Sequence, residues 1–133
     1  MRSIKFITFI TIITFILGSP VSALAATLSL SPASGTFNRN CDFSLTIDLD
    51  TTGAQTDGTD AYLRYDTSRF TAKNIVSGTI YQEYPGTNID PTGKITVSGL
   101  ASVTQPFTGK GTLATINFTV LPNAQNTATA ITF

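Results

Sequence analysis

Three residues on one short segment carry the most concentrated chemistry in the chain. In Asp57-Gly58-Thr59-Asp60-Ala61-Tyr62-Leu63-Arg64-Tyr65-Asp66-Thr67-Ser68-Arg69-Phe70, positions 60, 62 and 64 hold a carboxylate, a phenol and a guanidinium. Residues two apart share one face of a β-strand, so Asp60, Tyr62 and Arg64 stand in a row while Ala61, Leu63 and Tyr65 point the other way. The apolar set reads as core. The polar set reads either as an ordinary solvated face or as a contact surface, since an acid, an aromatic ring and a guanidinium together can ion-pair, stack and hydrogen-bond with a partner. Asp66 at the first position of Asp-Thr-Ser-Arg predicts a tight turn, because its carboxylate can accept from backbone N–H groups ahead of it, and Phe70 returns the chain to the interior.

Other reactive groups are sparse. The chain has no histidine, so a Ser-His-Asp or Cys-His system has no base. Glycoside hydrolysis by paired carboxylates needs one carboxyl held in an apolar or like-charged pocket. The acids here fall in Gly- and Thr-rich turns or on polar strand faces, where water keeps them ionised. No catalytic residue is assigned, and the expectation is that the chain is not an enzyme. Asp48, Asp50, Asp57, Asp60 and Asp90 could offer oxygens to calcium, but their spacing does not match the twelve-residue calcium loop, so neither a metal ligand nor a cofactor is assigned. Tyr81 and Tyr84 are the one aromatic pair near a loop, and they form the alternative site, a carbohydrate platform. The competing reading of this pair is one core-facing tyrosine and one packed against a loop. Asn117-Phe118-Thr119 fits a glycosylation sequon but lies within an expected strand, a poor acceptor site.

The elements that must carry these groups are strands. Twenty-four of the 133 residues are threonine, which suits a pleated surface and disfavours helix, and no stretch past the leader shows a capped 3.6-residue period. Expected strands are Thr27–Ser31, the strictly alternating Cys41–Asp50, the Asp60 segment, 73–76, 79–82, one marked by Ile95 and Val97, 113–120 and Thr127–Phe133. Residues 83–93, Glu-Tyr-Pro-Gly-Thr-Asn-Ile-Asp-Pro-Thr-Gly, read as a loop. Leu113 is out of parity with Ile116, Phe118 and Val120, as a bulge would make it. Cys41 is the only cysteine, and alternation puts it on the core side as a small inert hydrophobe. Short strands about ten residues apart, separated by Gly, Pro, Asn and Asp, predict an all-β, two-sheet antiparallel sandwich.

Residues 1–25 stand outside that pattern. Arg2 and Lys5 open them, an apolar run follows to Leu17, Gly18-Ser19-Pro20 breaks it, and Ala23-Leu24-Ala25 ends it. This is the grammar of a secretory signal peptide, and the run falls short of the ~20 residues a membrane span needs. Residues 26–133 then form one exported domain with no membrane segment. Six Lys and Arg face eight Asp and Glu in it, a net charge of −2 with no basic patch, which argues against a nucleic-acid partner.

The run Asp60-x-x-x-Arg64-Tyr65-Asp66, with Phe70 four residues on, resembles the third-strand segment of cohesin domains, the receptor modules that bind dockerins in bacterial polysaccharide-degrading assemblies. Gly93-Lys94-Ile95-Thr96-Val97-Ser98 and Gly109–Val120 are similar to that family's later strands and the turn between them. Thr67 stands where cohesins usually have proline. The resemblance implies a jelly-roll sandwich, a non-catalytic role, a secreted or cell-surface location, and a dockerin-like protein as the favoured partner, with a polysaccharide as the alternative. It also implies that Asp60 occupies the position of an acid that helps bind the dockerin, while Gly58 replaces a contributing asparagine two residues earlier. Thr129–Phe133 resembles the family's penultimate strand. On that reading the closing strand beside Thr27–Ser31 is missing, and the expectation is either a truncated reading frame or an edge completed by another chain.

Overall fold

The computed structural model describes residues 25–133 as seven antiparallel strands and, among the described residues, no helix. They are β1 (Thr27–Ser31), β2 (Asp42–Asp50), β3 (Gly58–Arg64), β4 (Phe70–Ser77), β5 (Glu83–Asp90), β6 (Lys94–Leu100) and β7 (Lys110–Val120). One sheet has the order β1-β2-β7-β4 and the other β3-β6-β5. The leader expected at 1–25 lies, apart from its last residue, outside the described residues.

Alternation decides what meets between the sheets. Ile47 and Leu49 of β2, Leu63 of β3, Ile95 and Val97 of β6, and Ile116 and Phe118 of β7 all point inward and join one buried cluster. Phe118 stacks on Phe43 at 5.2 Å and meets the Tyr65 ring edge-on at 5.3 Å, so one residue of the larger sheet packs against the chain just past β3. Leu113 is the residue expected to break parity, and it does. The β2–β7 register passes from Ile47↔Ala114 to Asp48↔Thr112, so Leu113 is the extra residue of a bulge, fully buried beside Ala114.

Four expectations are corrected. Cys41 is exposed, because the strand starts one residue later. Residues 38–41 form a turn, with the Cys41 N–H bonded to the Asn38 carbonyl at 3.2 Å and Asn40 at φ 61°, and alternation has no meaning inside a turn. Residues 79–82 are bends, and the stretch from 83 read as a loop is strand β5. Its Pro85-Gly86 sits in a register irregularity between Glu83 and Gly86 on an edge strand, where a missing N–H breaks no ladder bond. Residues 127–133 form no strand. Thr132 alone bridges to Arg64, with N–O distances of 2.8 and 3.1 Å.

The turns that set the smaller sheet use the chemistry expected of them. Asp66 accepts from the Ser68 N–H at 2.9 Å and its hydroxyl at 2.6 Å, and the Arg69 guanidinium pairs with it at 3.1 Å. Between β5 and β6, Asp90 accepts from the Thr92 N–H at 2.7 Å, and Gly93 follows at φ 88°. A Cβ at Gly93 would lie 2.4 Å from the Tyr65 carbonyl oxygen, so glycine is required both for the turn and for its approach to β3.

Candidate functional site: the outer face of β3-β6-β5

Strand register turns three sequence positions into a surface. β3 pairs with β6 and β6 with β5, so the outward residues line up in rows across the sheet: Arg64, Lys94 and Asp90; Tyr62, Thr96 and Asn88; Asp60, Ser98 and Gly86. Asp60, Tyr62 and Arg64 are exposed while Ala61 and Leu63 are buried, the alternation expected from sequence. Tyr65, expected inside, is half-buried at the end of the strand against Phe118. The face is held from beneath by Leu63, Ile95 and Val97, none of which has any exposed surface.

One side-chain contact crosses the face. Tyr62 keeps 51% of its surface exposed, and the Lys94 ammonium lies over its ring at 5.2 Å from the centroid. Among the described residues, the side chains of Asp60 and Arg64 make no hydrogen bond or ion pair within the fold. Asp90 differs: hydrogen bonds from Thr92 hold its carboxyl below the usual aspartate value, with nearby Lys94 contributing less. Leu100, at the end of β6 and on the outward parity of Ser98, is exposed, and so is Val103 in the following turn.

Lys94, Leu100 and Val103 were not picked out from sequence. Lys94 shares the outward parity of Thr96 and Ser98, and its neighbour across the sheet becomes visible only once the β3–β6 register is known.

The alternative site does not form a platform. Tyr81 is buried, its hydroxyl 2.6 Å from Thr59 Oγ1 and its ring edge-on to Tyr84 and Phe107. It fills the space left by Gly99, where a Cβ would lie 2.4 Å from the Tyr81 ring. Tyr84 is half-buried, with a hydroxyl that has no partner among the described residues, and burial pushes its pKa up. The Tyr81 ring is thereby withdrawn from any ligand, and the pair does not stand side by side on the surface. Elsewhere a groove of about 610 Å³ opens between the segment after β1 and the C-terminal residues, lined by Leu30, Phe37, Phe43, Phe70 and Ile131. Arg69, the one cation lining it among the described residues, is already bonded to Asp66 and to the Gln125 and Thr127 carbonyls. No group of three or more Asp, Glu or Cys side chains among the described residues is placed to hold a metal ion.

The family model for the cohesin domain matches residues 26–133. The chain belongs to the cohesin domain family. Its fold is similar to a cohesin from Clostridium acetobutylicum solved in solution, at 21% identity and a TM-score of 0.63 over 75% of this chain and 68% of that one. It is similar also to the sixth cohesin of scaffoldin B from Acetivibrio cellulolyticus, solved in complex with a Cel5 dockerin, at 19% identity and a TM-score of 0.62 over 76% and 74%. A cohesin in a type I cohesin–dockerin complex from Clostridium thermocellum matches at 14% identity and 0.62 over 76% and 75%. Among curated proteins there is no match. At these identities the structural likeness establishes the cohesin fold, a two-sheet antiparallel β-sandwich.

Proposed function

We propose that this cohesin domain is an exported, non-catalytic receptor module that docks a dockerin-like protein on the outer face of β3-β6-β5, in polysaccharide degradation or cell-surface adhesion. One observation carries the reading: in a chain of this family, Asp60, Tyr62 and Arg64 stand exposed on a single strand, with the acid and the guanidinium unused by the fold. Similar domains in solved complexes have dockerins as their partners, which supports the same class of partner here. A rigid sheet face also suits docking, since its side chains need little ordering on binding. The leader pattern of residues 1–25 supports export.

Calorimetric titration of residues 26–133 with the dockerin modules encoded in the same genome tests the reading. At least one should bind, and Asp60→Ala and Tyr62→Ala should each weaken it. Binding unaffected by both substitutions would move the interface off this face. Binding by no dockerin would remove the proposed partner class.

A further inference from the structure

The docking face has an electrical polarity that its own fold does not use. Arg64 on β3 is directly opposite Lys94 on β6. Like charges directly opposite on neighbouring strands repel and are unfavourable for the sheet. Nothing on the face answers this pair in full. Asp90 completes the row, but its carboxylate is turned into its own loop by the Thr92 N–H at 2.7 Å and hydroxyl at 2.5 Å. The acid nearest to Arg64 in sequence, Asp66, is bound by Ser68 and Arg69. Asp60 lies four residues along the same strand, about 13 Å away at the usual strand rise, too far to pair with Arg64 directly.

The backbone sets where the two cations leave the sheet. The Arg64 backbone is held on one edge by β6 and on the other by Thr132. The Lys94 ammonium leans over Tyr62, so an aromatic ring with two positive groups beside it faces outward. A carboxylate arriving here would meet a guanidinium fork able to take both its oxygens, with the ammonium as a second cation.

Building on the docking reading above, we infer that the Arg64–Lys94–Tyr62 end of the face is a carboxylate subsite, and that the protein partner presents an Asp or Glu side chain to it. Charge complementarity selects that partner. An incoming acid relieves the Arg64–Lys94 repulsion, whereas a basic residue would add a third positive charge.

The test uses any dockerin module found to bind residues 26–133 in the titration described above. Arg64→Glu should weaken binding roughly 100-fold, since a like-charge contact across an interface is worth several kcal/mol. Changing the facing Asp or Glu of the dockerin to Lys should restore much of that loss. Lys73→Glu, the same charge change on the opposite sheet where Lys73 pairs with exposed Asp42, should leave the affinity unchanged. Arg64→Gln should keep or slightly raise the melting temperature, because it removes the repulsion with Lys94. Equal affinity of wild type and Arg64→Glu, with Tyr62→Ala still damaging, would overturn the carboxylate subsite and leave the docking face standing. So would a large fall in melting temperature for Arg64→Gln, since Arg64 would then be holding the fold. Absence of binding by every dockerin would remove the docking reading and the subsite together.

Discussion

Tyr62 and Leu63 are consecutive residues on opposite faces of β3, and truncating each to alanine separates the proposed recognition role from stability in a single strand. Leu63 has no exposed surface and packs among Ile95, Val97 and the larger sheet. Leu63→Ala removes that buried side chain and leaves a cavity, a change that costs about 2–5 kcal/mol. At roughly 4–8 °C per kcal/mol for a domain of this size, even the lower end lowers the melting temperature by ~10 °C. Tyr62 is half exposed, and within the fold it loses only the Lys94 contact and a cross-strand neighbour, Thr96. Those are worth together about 1 kcal/mol, or a few degrees. In binding the order reverses. Tyr62→Ala should weaken a dockerin complex by about 1–2 kcal/mol or more, the range of an aromatic contact at an interface, with the loss mostly in dissociation rate. Thermal denaturation followed by circular dichroism and calorimetric titration measure the two effects on the same preparations. A melting temperature falling as far for Tyr62→Ala as for Leu63→Ala would refute the face assignment, as would undiminished affinity for the partner.

Cys41, exposed before β2, should react fully with Ellman's reagent in the native domain, whereas a buried cysteine would react only on unfolding. Gly93→Ala should destabilise by about 1–3 kcal/mol, because the new Cβ must occupy a positive-φ position against the Tyr65 carbonyl, and chemical denaturation will read the loss. Asp42, Asp50, Asp66 and Asp90 are held below the ordinary aspartate value of 3.8 by their hydrogen bonds, to Lys73, Lys110, Ser68 and Thr92 respectively. Groups whose pKa is depressed on folding stabilise the fold fully above that ordinary value, so the melting temperature should hold steady above about pH 5 and fall as the pH drops below 4. A melting temperature still rising on acidification from pH 4 to pH 3 would contradict those assignments. The isolated domain should not be retained on cellulose, chitin or xylan through Tyr81 and Tyr84, and a pull-down in which Tyr84→Ala abolishes retention would restore the sugar platform.

The parts of the fold that could be read in advance are those where burial imposes a strict period of two. In β2, and in β3 from Ala61 to Leu63, every second residue is apolar and buried, and a register slip by one would expose the whole set, so sequence and structure agree there. The pattern fails where burial is not the governing constraint. Cys41 has the right parity but belongs to a turn that the Asn40 conformation sets. β5 carries Pro85 and Gly86, turn residues in most settings, yet at a sheet edge the outer N–H groups pair with nothing and proline is tolerated. Tyr81 was a platform candidate because it and Tyr84 are an aromatic pair near a loop, and what buries it lies eighteen positions later, in a glycine at an inward position of β6. Ile95, Val97 and Gly99 share that inward parity, and the glycine at the end of the series was the available signal that another side chain fills its place.

The same periodicity explains why the candidate site was legible at all while its chemistry was only half visible. A recognition face on a regular strand uses the positions that the core does not, so Asp60, Tyr62 and Arg64 could be assigned outward from β3 alone. Their neighbours across the sheet depend on which strand pairs with β3 and in what register, information that no local pattern holds. β6 supplies Lys94 and β5 supplies Asp90, so the face gains from its neighbours an end where two cations stand against one carboxylate already engaged by Thr92. Because inward and outward residues alternate, the outward set can change from one sequence to another with little consequence for Leu63, Ile95 and Val97 beneath it. On the proposed docking role partner choice is thereby uncoupled from folding, and an unfavourable Arg64–Lys94 pair is tolerated on this face since the buried side of the same strands supplies the stability.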